Sequence, residues 1–386
     1  MAISRDTLGG GRKDEHVRLA EELRELRELR EQREPGEPGD AVPGTGRQGV
    51  WDDVRFLHHS FPGVDLDGVS LETAVCGRDW AVPFYINAMT GGSEKTALIN
   101  ADLARAAAAT GVAMATGSAS PALKDPSLAH SFAVVREHAP DAFLFANVSP
   151  EMTVAQSRDA VGFLDADALQ VHVNPAQELV MPEGDRDFTC WLDRLESIVE
   201  GVDVPVVVKE VGFGLSARSA AEVVERGVRT IDVSGRGGTN FIDIENRRRD
   251  RQEFAYLSGW GQTAAECLLD LRATPVVVPG DGSSVEPVQV LASGGVATPL
   301  DVVRALALGA SAVGVSGHFL HVLMTSGLEA LIEEITGWIS QVRTLMTLLG
   351  AGSVAELREV DVLVTGRTAE FARLRGVDLG ALARRS

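Results

Sequence analysis

Between Ala168 and Asp185 the chain reads ALQVHVNPAQELVMPEGD, and four side chains with chemistry in them fall close together there. Ala168 to Val173 is a short, mainly apolar run bounded by polar residues, the pattern of a buried strand. His172, Asn174, Gln177 and Glu178 come at its C-terminal end, where parallel α/β proteins place their ligands. Three hydrogen-bonding groups and one carboxylate suit a polar ligand. A polar loop with a capping histidine would carry the same residues, so the cluster gains weight only from its surroundings. Two other features stand out. Lys209 interrupts an apolar run and would be costly to bury without a partner. Arg12, Lys13 and His16 form a compact basic group behind a glycine-rich entry, where solvated tail charges are the simplest reading.

The elements that must position these groups are legible from Val82 onward. Apolar runs recur at Val82–Met89, Gly111–Gly117, Phe143–Val148, Ala168–Val173, Pro205–Val211, Thr230–Ser234, Val288–Ser293 and Ala312–Ser316. Amphipathic stretches such as Thr96–Ala109, Ser216–Arg226 and Pro299–Leu308 lie between them. This alternation predicts an α/β fold, a (β/α)₈ TIM barrel with an N-terminal helical extension. No GxGxxG follows a first strand, which argues against a dinucleotide-binding sheet. The interval from Ser234 to Val288 is too long for an ordinary connection and is a candidate lid. Leu320 to Leu349 is apolar at helical spacing and is expected to pack outside the barrel or on a neighbouring subunit. Residues 1–50 read as a separate segment, a charged helix over Arg18–Glu34 and then a Pro/Gly linker; residues 51–386 read as the barrel with its C-terminal helices.

Most predicted strands end in small or glycine residues: Ala88-Met89-Thr90-Gly91-Gly92, Gly117-Ser118, Ser234-Gly235-Arg236-Gly237-Gly238-Thr239, Ser293-Gly294-Gly295 and Ser316-Gly317. Such ends let backbone approach a flat or phosphorylated ligand. Glycine turns after the last two strands are a common phosphate site in barrels. A flavin whose N1–C2=O edge gains negative charge on reduction would partner Lys209, and FMN is the expected ligand.

The composition narrows the partners. With 386 residues, 45% hydrophobic content and 40 glycines the chain suits a globular enzyme. A net charge of -19 argues against nucleic acid, while a local basic cluster can still bind a small anion. Cys76, Cys190 and Cys267 form neither a disulfide framework nor a CxxC site. No signal peptide or membrane-spanning run is expected, and the cytoplasm is the expected location.

These residues carry a resemblance that runs nearly end to end. RKDEH at Arg12–His16, NAMTGG at Asn87–Gly92, HVNPAQE at His172–Glu178, PEGD at Pro182–Asp185 and KEVGFG at Lys209–Gly214 belong to it. So do DVSGRGGTNF at Asp232–Phe241, GWGQ at Gly259–Gln262 and LASGG at Leu291–Gly295. The chain resembles the type 2, FMN-dependent isopentenyl-diphosphate delta-isomerases. The resemblance implies a TIM barrel in a homotetramer or homo-octamer that interconverts isopentenyl and dimethylallyl diphosphate. It implies reduced FMN and Mg²⁺ as cofactors, with NADPH needed only to reduce the flavin. By the same resemblance Arg12 and Lys13 (with His16 beside them), His172 and Asn174 hold the diphosphate, Glu178 holds Mg²⁺, and Gln177 faces the isoprene part and helps shuttle a proton. Trp260 would wall the prenyl tail. The FMN set would be Ala88, Met89, Thr90, Ser118, Asn147, Lys209, Ser234, Thr239, Gly294, Gly295, Ser316 and Gly317, with N5 of the reduced flavin protonating the alkene.

Three departures bear on the site. Ser118-Ala119-Ser120 stands at a substrate-facing turn where many members carry Gln-Arg after the Gly-Ser, so one diphosphate contact is missing or replaced. Val148-Ser149-Pro150 replaces the common Gly-Ala, and Glu22–Gly46 is a charged insertion. An α-hydroxy-acid oxidase is the first alternative, but Val288–Thr298 offers neither the His nor the Arg such enzymes need there. A flavin-binding subunit without catalysis is the second. The intact His172, Asn174, Gln177 and Glu178 argue against it.

Overall fold

All eight apolar runs become strands. The computed structural model describes residues 14, 15, 17–19, 21, 22, 49–280 and 284–386. The strands are β1 (Phe84–Ile86), β2 (Ala113–Ala115), β3 (Leu144–Val148), β4 (Ala168–Val173), β5 (Val206–Glu210), β6 (Thr230–Asp232), β7 (Gln289–Ser293) and β8 (Ala312–Val315). They pair in parallel in chain order, and β8 pairs back onto β1 to close the barrel.

Side chains alternate along each strand, and here the alternation separates two layers. Tyr85, Ala113, Ala115, Phe145, Ala168, Val207, Leu291 and Ala312 form one buried apolar cluster. Two residues further along the same strands come Asn87, Asn147, Gln170, Lys209, Ser293 and Gly314. Toward their C-terminal ends the strands thus change from an apolar layer to a polar one. The intervening residues, among them Ile86, Val148, Val171 and Val208, pack outward in the main core. A hairpin of Thr73–Val75 and Arg78–Trp80 precedes β1. Its Trp80 ring meets Tyr85, Phe143 and Phe145 at centroid distances of 5.6, 5.2 and 5.9 Å, which makes the hairpin the floor of the barrel.

The helices that follow the strands or decorate their C-terminal ends include α1 (Glu94–Thr110), α2 (His130–His138), α3 (Val154–Gly162), α4 (Pro175–Val180), α5 (Trp191–Gly201), α6 (Ala217–Val224), α7 (Phe241–Arg247), α8 (Ala264–Ala273), α9 (Pro299–Ala307), α10 (Gly317–Ser326) and α11 (Leu328–Leu348). Local chemistry sets their ends. A capping box at Ser93 and Thr96 starts α1, and Gly111 with φ of 73° ends it.

Two sequence expectations are refined. The long interval after β6 is not one connection: it holds α7, α8 and a hairpin of Val277–Pro279 with Val285–Pro287. Its lid-like part is packed, since Ile242 of α7 is buried with Val180 of α4 and Phe213. The apolar tail is two helices, α10 and α11, because Gly327 lies between them at φ of 90°. Trp338 of α11 packs on Phe84 and Phe319, so the tail covers the outside of the barrel. Arg12, Lys13, His16 and most of the charged helix lie outside the described residues. Among those described, no helix is long and apolar enough to cross a membrane.

Candidate functional site

The polar layer is a connected network at the C-terminal end of the barrel. Asp232 at the end of β6 is fully buried and accepts from Tyr85 Oη at 3.1 Å, Asn87 Nδ2 at 3.3 Å, Ser234 N at 3.0 Å and Ser293 Oγ at 2.9 Å. Four donors offset the burial of one carboxylate. Burial, and then the charge of Asp232, push the Tyr85 phenol well above its ordinary pKa, so it stays a donor. Gly314 has no side chain because a Cβ there would lie 2.5 Å from Asn87 Nδ2. On the opposite wall Asn147 Nδ2 donates to Gln170 Oε1 at 3.2 Å. That leaves Asn147 Oδ1 to accept from His172 Nδ1 at 2.7 Å, which orients the imidazole.

Lys209 sits between His172 and Asp232 in strand register and is only 5% exposed. Its Nζ donates to Ser234 Oγ at 3.1 Å and to the Glu210 carbonyl at 3.3 Å. Among the described residues no carboxylate lies within ion-pair distance of it. A buried ammonium held by neutral oxygens alone suits an electron-rich partner such as a flavin edge. Ser234 adopts φ of 34°, a left-handed conformation that a serine pays for in strain of about 1–3 kcal/mol. Across the barrel, α10 begins after Ser316, whose side chain makes no cap hydrogen bond, and the positive end of the helix dipole there favours a phosphate. These features fit FMN.

The glycines after β6 and β7 have a further task. A Cβ on Gly294 would lie 1.9 Å from the Gly235 carbonyl oxygen, and one on Gly295 would meet Val50 at 2.3 Å. Trp51 Nε1 donates to the Gly294 carbonyl at 3.2 Å. The two glycine loops therefore pack on each other and on the chain entering the barrel.

At the end of β4 the four residues first singled out take different places. Asn174, expected at the diphosphate, is 3% exposed and committed inside the protein. Its Oδ1 accepts from Gln177 N at 2.8 Å, and its Nδ2 donates to the Val211 carbonyl at 2.8 Å. It is the N-cap that aims α4. Gln177 Nε2 donates to Glu245 Oε1 at 3.1 Å. Glu178 Oε2 accepts from Asp185 N at 3.0 Å. Glu151 stands nearby: burial, then a hydrogen bond with Asp185 and the charges of Asp185 and Glu178, raise its pKa to about 7. No group of three or more His, Cys, Asp or Glu able to hold a metal occurs among the described residues. A single carboxylate fits Mg²⁺ only if a substrate phosphate supplies further oxygens, which is how Mg²⁺ is usually held.

Other expected residues are placed as follows. Ala119 is a correction: its methyl is 1% exposed and its N–H donates to the Asn147 carbonyl at 2.7 Å, so it presents nothing to a substrate. Ser118 and Ser120 hydrogen-bond to each other at 2.9 Å. The Thr90 hydroxyl is spent on Asn100 Oδ1 at 2.6 Å, while Ala88 and Met89 lie between β1 and that turn. Thr239 precedes the Asn240 cap of α7, and Gly317 opens α10. Trp260, expected as a wall, is 60% exposed beyond α7.

Sequence reasoning missed Asp232 as the hub, and it missed Glu245 and Arg248. Glu245 is fully buried and also bound by Arg248 Nη1. Nothing in the run ENRRR sets Glu245 against Gln177, which is 68 residues away.

Residues 123–363 match the family model of FMN-dependent dehydrogenases. The chain is 48% identical over 375 residues to the isopentenyl-diphosphate delta-isomerase of Streptomyces sp. (strain CL190), covering 97% of this chain and 95% of that one. It is 45% identical to the Nocardia farcinica protein of the same name, over 98% of this chain and 97% of the other. The chain belongs to the type 2 isopentenyl-diphosphate delta-isomerases. The fold of this isomerase family is shared more widely. Mandelate oxidase structures superpose with TM-scores of 0.56 at 19–20% identity, covering 82% of this chain and 88–90% of theirs. At that identity the likeness concerns the barrel alone.

Proposed function

We propose that the protein interconverts isopentenyl and dimethylallyl diphosphate by moving a proton, with no net redox change. The observation that carries this reading is the bonding of Gln177 to the buried Glu245, after the strand next to the one that carries the buried Lys209. An amide alone neither gives nor takes a proton at neutral pH; it could pass one on only by exchange with the carboxylate it is bonded to, which here is Glu245. Bound reduced FMN would supply an electron-rich face and a proton-bearing nitrogen over the alkene. NADPH would serve only to reduce it.

The chain's own residues do the rest. Lys209 and Ser234 hold the flavin's polar edge, and the Asp232 network keeps Ser234 in its strained conformation. The ends of β7 and β8, through Gly294, Gly295, Ser316 and Gly317, take its phosphate. Asn147 orients His172 toward the mouth, where the ring donates to the diphosphate. Glu178 would hold Mg²⁺ against the same phosphates, with Arg12 and Lys13 completing the anion site. Asn174 acts by aiming α4, so that Gln177 and Glu178 face the mouth together. A homotetramer or homo-octamer is the assembly this reading favours.

An anaerobic assay with isopentenyl diphosphate, Mg²⁺ and NADPH tests it on FMN-loaded protein. Dimethylallyl diphosphate without stoichiometric NADPH loss is the expected result. Oxidation of lactate in air with no isomerisation would point to an oxidase, and inactivity in both assays to a flavin-binding protein without catalysis.

A further inference from the structure

We propose that Arg248 is a positioning residue that couples docking of the N-terminal segment to the orientation of Gln177. The proposal deepens the reading above and rests on it.

The described part of the N-terminal segment lies on its own barrel. Val17 and Leu19 are 5% and 6% exposed. Ser93 Oγ, at the start of α1, donates to Asp14 Oδ1 at 2.8 Å, and Glu21 Oε2 meets His321 Nδ1 of α10 at 2.8 Å. Between these anchors Glu15 Oε2 lies 3.5 Å from Arg248 Nε.

The same guanidinium reaches the candidate chemistry. Arg248 Nη1 binds Glu245 Oε2, while Glu245 Oε1 accepts from Gln177 Nε2 at 3.1 Å. Nη2 binds Glu183 Oε1 of the PEGD turn at 2.9 Å. One fork, 18% exposed, thus joins the N-terminal segment, α7 and the turn after α4. A guanidinium is planar and rigid, so its three nitrogens cannot be aimed independently. When Glu15 sits on Nε, the direction of Nη1 toward Glu245 is set, and with it the acceptor for Gln177. When Glu15 leaves, the fork can turn toward its two other carboxylates. Arg12 and Lys13 directly precede Asp14 and Glu15 in the chain. The segment that would bring two cations to the diphosphate therefore also aligns the amide at the alkene. That ties proton transfer to the presence of the diphosphate tail.

The test compares wild type, Glu15→Gln, Arg248→Gln and Arg248→Lys, all loaded with FMN. Steady-state kinetics are read alongside the rate of trypsin cleavage at the Arg18–Leu19 bond. Glu15→Gln should raise KM about threefold, as loss of a part-exposed ion pair does, and should also lower kcat, by less than loss of the guanidinium itself, because the fork is no longer held from that side. Arg248→Gln should raise KM similarly and also lower kcat about tenfold, through the misplaced amide. Both should cleave faster at Arg18 than wild type. Arg248→Lys keeps the charge without the fork, so it should recover KM more than kcat; it also carries the test should Arg248→Gln fail to fold. Equal cleavage in all four proteins, wild-type kcat in Glu15→Gln, or wild-type kcat in both Arg248 variants, would overturn the coupling. A wild type that cleaves as expected but does not isomerise would overturn the proposed function, and the link to Gln177 with it.

Discussion

Glu178 has one carboxylate oxygen tied to the Asp185 amide and shares its surroundings with Glu151 and Asp185. Gathering three acids at one rim is unfavourable unless a cation or a proton relieves the repulsion. Glu151 is the group pushed toward protonation, and on the proposed reading Glu178 would be the carboxylate that meets the metal. Glu178→Gln should therefore lower Mg²⁺-dependent turnover by about two orders of magnitude or more. Its flavin should stay bound, because the expected FMN contacts lie on other strands. Absorbance near the flavin maximum and an isomerase assay check both parts. A colourless variant or normal turnover would contradict the metal assignment. His172, Gln177 and Glu178 were legible as a cluster because they follow one strand. Glu245 was not, because its partner is distant in the chain and only packing of α7 on α4 joins them.

Among the elements, β5 carries a second consequence. Glu210 points away from Lys209, and its Oε2 accepts from Phe213 N and Gly214 N, both at 2.7 Å. It thereby shapes the turn that leads to α6. Burial raises its pKa from 4.5 to about 7, although those two hydrogen bonds and Lys209 oppose the rise. A carboxyl group with a raised folded-state pKa binds more protons when folded. Its contribution is complete below about pH 4.5 and is lost as pH rises through about 7. The span corresponds to roughly 3 kcal/mol at most. Glu210→Gln does not titrate, so its stability relative to wild type should climb between pH 4.5 and 7 and level off above. Urea unfolding across that range measures it, and a difference that stays flat would refute the assignment. The alternation of apolar and polar residues showed β5 as a strand, but which neighbour faced inward required the register.

For the molecule as a whole, the floor of the barrel matters as much as its mouth. Trp80 closes the N-terminal end against Tyr85, Phe143 and Phe145, and Tyr85 in turn donates to Asp232. Floor packing and flavin pocket are therefore joined through one phenol. Trp80→Ala should lower stability by about 3–5 kcal/mol, as large cavities do. It should also weaken FMN retention relative to a similarly destabilised variant on the outer helices. Thermal unfolding with and without added FMN separates these effects; equal FMN affinity in the two variants would show that floor and pocket are independent. At the side of the barrel Val54–Phe56 pairs antiparallel with Val362–Val364, which ties the chain entering the barrel to the segment that follows α11.

Hydrophobic period and turn chemistry act over a few residues, so the chain alone determined eight strands, the helices between them, and the small residues at the strand ends. It also marked His172, Gln177, Glu178 and Lys209 as groups with work to do. Closure of the barrel decided what these groups touch. Asp232 became a hub, Asn174 became the cap of α4, Ala119 turned inward, and Glu245 came to lie against Gln177. Those outcomes depend on register and on contacts between residues far apart in the chain, and no local pattern encodes them.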